Sequence, residues 1–158
     1  MKQDAVALLK ADHKTVKGLF KDVEECSDRA TAQLQKLGDE ICQALKVHAE
    51  IEEKVFYPAI QARTKRGEKE ERDLVLESYE EHSAAKKVIA DIEAVDSTDE
   101  SFKPKIKALS EAIEDHVKEE ESELFPGAQE LFDENEMLEM GRRMAEMKEQ
   151  LGAQPARV

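Results

Sequence analysis

All four histidines of the chain fall into a pattern that occurs twice. In the first copy a lone His13 is followed by His48-Ala49-Glu50-Ile51-Glu52 and then by Phe56-Tyr57-Pro58. In the second a lone His82 is followed by His116-Val117-Lys118-Glu119-Glu120 and then by Leu124-Phe125-Pro126. His13 and His82 lie 69 positions apart, His48 and His116 lie 68 apart, and a proline comes ten residues after the second histidine of each copy. A helix puts i and i+4 on one face, so each His-x-x-x-Glu presents an imidazole nitrogen beside a carboxylate oxygen. A lone core histidine is ordinarily a hydrogen-bonded structural residue, and a lone His-x-x-x-Glu is ordinarily a surface pair. Repeated together they point to a dinuclear metal site built from His13, His48, Glu52, His82, His116 and Glu120.

Such a site needs elements that hold the six side chains face to face. Four helical segments are predicted, over about Asp4 to Cys26, Ala30 to Arg63, Glu68 to Asp96 and Ser101 to Phe125. A kink is expected near Pro58, and Pro126-Gly127 is expected to interrupt the fourth segment. Pro104 fits a first helical turn, where its missing N–H costs little. Stripes recur at spacings of three and four: Val6, Leu9, His13, Val16, Phe20 and Val23 in the first segment, Leu34, Leu37, Ile41, Leu45, His48, Glu52 and Val55 in the second. Val75, Tyr79, His82, Ala85, Ile89 and Ile92 follow in the third, and Ile106, Leu109, Ile113, His116, Glu120 and Leu124 in the fourth. The histidines and both i+4 glutamates sit in the middle of these stripes, on the core face. Short connections at Ser27-Asp28, Thr64 to Gly67 and Asp96 to Asp99 predict an all-α, up-down-up-down antiparallel four-helix bundle. A further stripe, Met137, Met140, Met144, Met147 and Leu151, predicts an additional amphipathic C-terminal helix folded back on it. The expected division is a bundle over 1–132 and an appended helix and tail over 133–158, with Gln154 to Val158 frayed.

Composition agrees. At 158 residues the chain is one domain, large enough for a real core without disulfides. Charged residues are 39% and aromatics 4%, which favours long helices. The net charge of -13 weighs against nucleic acid and anionic membrane surfaces and is compatible with attracting cations. No transmembrane segment is expected, and the apolar run from Ala5 to Leu9 is too short for a signal peptide, so the cytoplasm is the expected location. Cys26 and Cys42 form no C-x-x-C and read as buried structural thiols.

A buried carboxylate needs a partner or its pKa rises until it is neutral. None of the four stripes offers a Lys or Arg at the level of Glu52 and Glu120, so metal ions would supply the missing charge. Mixed imidazole and carboxylate donors suit iron, manganese or zinc. Glu52 and Glu120 could each bridge two metals, each metal taking two histidines; which histidines pair stays open. An oxo or hydroxo bridge would make five donors and leave one position for a small molecule. Tyr79 could add a phenolate or a hydrogen bond, though packing is the commoner use of such a tyrosine. Glu53 and Glu119 could swing in, or face solvent. Tyr57 and Phe125 read as plugs closing one end of the bundle.

At these residues the chain resembles the hemerythrin-like family, also called the HHE cation-binding domain, over about residues 4 to 126. The family pattern is a lone His and then His-x-x-x-Glu, repeated: His13, His48 with Glu52, His82, His116 with Glu120. The resemblance implies a four-helix bundle holding two iron ions in an oxo- or hydroxo-bridged non-haem centre. It implies binding of dioxygen, nitric oxide or peroxide, or handling of iron. Oxygen carriers in the family use a fifth histidine, which would fall here at Ser78 or Lys86, and their last motif ends in Asp one position later than Glu120. The centre should therefore be more open and more carboxylate-rich, which points away from oxygen carriage and toward peroxide or nitric oxide chemistry, catalytic or sensing. No cysteine precedes His13, unlike members linked to iron–sulfur repair. Two alternatives are an iron-delivery protein and an interaction bundle acting through its Met-rich helix.

Overall fold

The structure, a computed structural model, describes residues 3–64 and 69–152, apart from the side chain of Lys69. The turn expected over 65–67, the expected helix start at Glu68 and the tail from Gln154 lie outside the described residues. Seven α-helical stretches follow in order: α1 (Ala5–Glu25), α2 (Thr31–Ile51), α3 (Tyr57–Arg63), α4 (Lys69–Glu93), α5 (Phe102–Glu119), α6 (Phe125–Leu131) and α7 (Glu134–Gly152). A π-helical turn over Glu52–Phe56 joins α2 to α3, and a second over Glu120–Leu124 joins α5 to α6. The described chain is thus five helical rods, with no strand among the described residues. Four of them form the up-down-up-down bundle, α1 packing on α2 and α5, and α4 on α5 and α3. The fifth, α7, lies along α1 and α2.

Local chemistry sets the start of α1: Asp4 caps it, its carboxylate accepting the Ala7 N–H at 2.8 Å. Two glycines permit close approach. A Cβ at Gly38 would stand 2.6 Å from the Phe102 ring, where α2 meets α5. A Cβ at Gly141 would overlap the Gln3 carbonyl and the Asp4 backbone, so α7 docks on the start of α1 at backbone distance.

The two prolines act differently from the sequence expectation. The distortion near Pro58 is the π turn that ends just before it, and the fourth rod runs through Pro126-Gly127 to Leu131 instead of stopping. In each case the last π-type bond is made by the residue before the proline, Tyr57 N–H to the Glu52 carbonyl and Phe125 N–H to the Glu120 carbonyl. Each proline is then second in a fresh α-segment, where a missing N–H costs little.

Two apolar clusters flank the middle of the bundle. One holds Leu9, Phe56, Tyr57, Ile60, Phe125 and the α7 residues Met137, Met140 and Met144. The other, at the opposite end, holds Leu34, Ile41, Ile89, Phe102, Ile106 and Leu109. The histidines and glutamates of the repeat form a polar layer between them.

Candidate metal centre

The π turns decide which side chains face inward. In a regular α-helix, residues five apart point about 140° away from each other. In a π turn the i and i+5 backbones are bonded and the side chains stack. Glu52 therefore lies over Tyr57, and Glu120 over Phe125, all four buried. The His-x-x-x-Glu spacing brings His48 to Glu52 and His116 to Glu120 across the same boundary.

All six residues singled out by the repeat come together, and all are buried; Glu52 is 0% and Glu120 1% exposed. His13, His48, Glu52 and Glu120 offer donor atoms within 4.8 Å of one another, as do Glu52, His82 and His116. The pairing left open by the sequence is therefore one pair per repeat copy, His13 with His48 and His82 with His116, with ring centroids 5.0 Å apart in both pairs. Glu52 belongs to both groups.

Each imidazole turns Nε2 inward. His13 Nε2 lies 3.0 Å from Glu120 Oε1, and His82 Nε2 lies 3.1 Å from Glu52 Oε1. His48 Nε2 comes within 3.3 Å of Glu52 Oε1, and His116 Nε2 within 3.4 Å of Glu120 Oε2. These last two approaches lack hydrogen-bond alignment, so His48 Nε2 and His116 Nε2 are buried without a hydrogen bond, and so, separately, is Glu52 Oε2. Unpaired buried donors and acceptors cost about 1–3 kcal/mol each. Lone pairs converging on one space fit a cation that accepts all of them.

The outer nitrogens are held by a second repeat. His48 Nδ1 is 3.0 Å from Asp12 and His116 Nδ1 is 2.6 Å from Glu81. Asp12 and Glu81 are the residues just before the lone histidines. His82 Nδ1 is 2.7 Å from Glu53, and His13 Nδ1 is 2.7 Å from Glu121. Glu53 and Glu121 are the residues just after the i+4 glutamates. Such carboxylates fix the tautomer with hydrogen on Nδ1 and leave Nε2 free for a metal.

Two expectations change, those for the neighbouring glutamates and for Tyr57, while Tyr79 packs as expected. Glu53 does turn in, but its equivalent is Glu121, not Glu119. Glu119 lies beside Glu77 and Glu81; burial and those two carboxylates push its carboxyl up to about 7. Tyr79 stays outside the donor layer, its hydroxyl 3.5 Å from the Glu53 carbonyl and its ring against Tyr57. Tyr57 is more than a plug. Its hydroxyl donates to Glu120 Oε2 at 2.5 Å and lies 3.1 Å from Glu52 Oε1 and 3.3 Å from His82 Nε2. Burial and then the two carboxylates hold the phenol well above its ordinary pKa, so it keeps its proton. Ser78, a place where the oxygen carriers' fifth histidine would fall, is buried, and its hydroxyl partly offsets the rise in this phenol's pKa. Phe125, without a hydroxyl, stacks on His13 with ring centroids 5.7 Å apart.

The electrostatics show what the layer demands. Burial opposes charge on His48, yet the Glu52 carboxylate and the Asp12 hydrogen bond hold it well above the ordinary imidazole value. Burial likewise opposes charge on His116, but Glu120, Glu52 and Glu81 push it up to about 10. Burial would raise Glu52, yet His48, Glu120 and His82 hold it well below the ordinary carboxylate value. The two carboxylates favour positive charge in the layer, which protonated imidazoles or a bound cation can supply, and no Lys or Arg among the described residues pairs with Glu52 or Glu120. Beside the histidines lies a cavity of about 40 Å³ walled by Val16, Leu45, Ala85, Ile89 and Ile113. It has room for a molecule of a few atoms, far below the roughly 300 Å³ of an organic-ligand pocket. A larger cleft of about 680 Å³ near Phe20, Leu34 and Phe102 touches none of the six residues.

A helical bundle with buried histidine–glutamate groups able to take up cations defines a metal-binding protein of the hemerythrin type. The model of the hemerythrin HHE cation binding domain matches residues 4–128, and the chain belongs to that family. A crystal structure of an HHE cation binding domain-containing protein from Mycobacterium kansasii is similar, with a TM-score of 0.78 at 25% identity, over 94% of this chain and 87% of that one. A protein named DNA nickase from Nostoc sp. is 32% identical over 118 residues, which are 75% of this chain and 31% of that protein. The chain thus spans about a third of that curated relative. No helix among the described residues is long and apolar enough to cross a membrane.

Proposed function

We propose that this is a non-haem di-iron protein that binds or reacts with dioxygen, hydrogen peroxide or nitric oxide, in oxidative or nitrosative stress handling or sensing. His13 and His48 would hold one iron, His82 and His116 the other, with Glu52 and Glu120 between them. Residues 1–132 would form this module and 133–158 its appended helix. The observation that carries the reading is the convergence of four inward Nε2 atoms on two fully buried carboxylates. Shared carboxylates with imidazoles in a bundle suit a redox-active metal pair. When bound, that pair supplies the electrons exchanged with the oxidant.

The chain's own residues do the rest. Asp12, Glu53, Glu81 and Glu121 orient the imidazoles. The apolar cavity beside the histidines excludes bulk water and admits only small molecules. Tyr57 keeps its proton on the phenol oxygen and directs it to Glu120 Oε2, the one O–H donor at the carboxylates among the described residues. The activity in the Nostoc protein's name does not extend to this chain under this reading, because the match covers 31% of that protein and a net charge of -13 repels DNA. The site residues are buried within the bundle, and the cytoplasm remains the proposed location.

The test is to load the protein with ferrous iron, add hydrogen peroxide or nitric oxide, and follow absorbance and oxidant concentration. A spectral change with one reactant, with or without turnover, supports the reading and separates catalysis from binding. Iron that is held loosely and gives no response to either favours iron delivery.

A further inference from the structure

We propose that Lys148, on the C-terminal helix α7, is a positioning residue for the His13/His48 half of the centre, acting through Asp12. The helix would then control one metal position and leave the other alone. The proposal rests on the two-metal reading above.

Asp12 is buried and uses both oxygens. One receives His48 Nδ1 at 3.0 Å, and the other receives the Lys148 ammonium. Lys148 crosses from α7 to α1 to do so, its side chain 45% exposed and that of Asp12 11%. Arg142 on the same helix shows how a surface cation there ordinarily behaves: among the described residues it pairs within α7, with Glu139 and Glu146. An exposed pair of that kind does little. Lys148 differs because its partner is buried and fixes a histidine.

The other half is anchored from within the bundle. Glu53 holds His82 Nδ1 and receives Lys86, which lies one turn along α4 from His82 itself. Among the described residues, Glu81 and Glu121 pair with histidines and with no lysine. Each half therefore has one lysine-held carboxylate, but only the first draws its lysine from the appended helix. The docking of α7 sets where that lysine stands. Met137, Met140 and Met144 are buried beside Ala5, Leu8 and Leu9, and Gly141 abuts the Gln3–Asp4 backbone. Moving α7 frees one Asp12 oxygen and loosens the carboxylate that orients His48.

Full-length iron-loaded protein, challenged with a chelator while released iron is counted over time, tests this. In Lys148→Met, one of two irons should leave about tenfold faster and the second at the wild-type rate, the low end of the loss expected when a residue supporting a ligand is changed. Lys148→Arg should restore slow release, and Arg142→Met should behave as wild type. Lys86→Met should also free one iron, and the double variant both, because the two lysines serve different halves. Wild-type release from Lys148→Met, equal acceleration of both irons, or a double variant that still frees only one would overturn the inference while leaving the metal centre intact. A wild-type chain that takes up no metal would overturn the metal-centre reading and this one together.

Discussion

The two halves of the centre begin alike and end differently. Each has a lone histidine, a second histidine with its i+4 glutamate and two supporting carboxylates, and the π turn of each copy sends its aromatic ring across to the histidines of the other half. In the first half the ring is Phe125 stacked on His13, and the anchoring lysine comes from α7. In the second the ring is Tyr57, which adds a hydroxyl beside His82, and the lysine comes from α4. The repeat therefore specifies donors and their supports twice, while the outer partners make the two positions chemically unequal.

The largest effect should come from the residue both halves share. Glu52→Ala should abolish uptake of both metals, read as metal per chain by elemental analysis; retention of either at wild-type affinity would show that the halves are independent. Next come the single-half variants. His82→Ala should leave about one metal per chain, and should lower the melting temperature of the loaded protein because a ligand bound only to the native state stabilises it. Full stoichiometry would remove His82 from the site. Gly141→Ala should cost about 3 kcal/mol, from overlap with the Gln3–Asp4 backbone, measurable by urea denaturation of the metal-free protein. It should disturb the His13/His48 half alone. The smallest loss belongs to Tyr57→Phe, about 1–2 kcal/mol for a buried carboxylate oxygen deprived of its donor. Its spectral signature should be confined to the half with His82; an unchanged spectrum would make Tyr57 a packing residue.

Much of this could be read in the chain. The bundle followed from four apolar stripes, and the six donors from a repeat whose histidines all lie on the core face. The supporting carboxylates were readable too. Glu53 and Glu121 stand five residues after His48 and His116, and Asp12 and Glu81 directly precede His13 and His82. Glu119 attracts notice only by its nearness to Glu120; the repeat offset points past it. Tyr57 was not legible, because whether an i+5 residue faces the core depends on a π turn, and the sequence marks that only by a proline. Pro126 misled for the same reason, since a widened turn before it lets the helix continue. Lys148 could not be found from spacing, because its role depends on where α7 docks, which is decided by the buried methionines and by Gly141.

The most direct test is the amount and distribution of iron bound by the purified full chain after anaerobic loading with ferrous iron and removal of excess. Two irons per chain, falling to one in both His48→Ala and His116→Ala, is the predicted result. One iron or none in the wild-type chain, or loss of both irons in each single variant, would contradict a two-metal centre with one position per repeat copy.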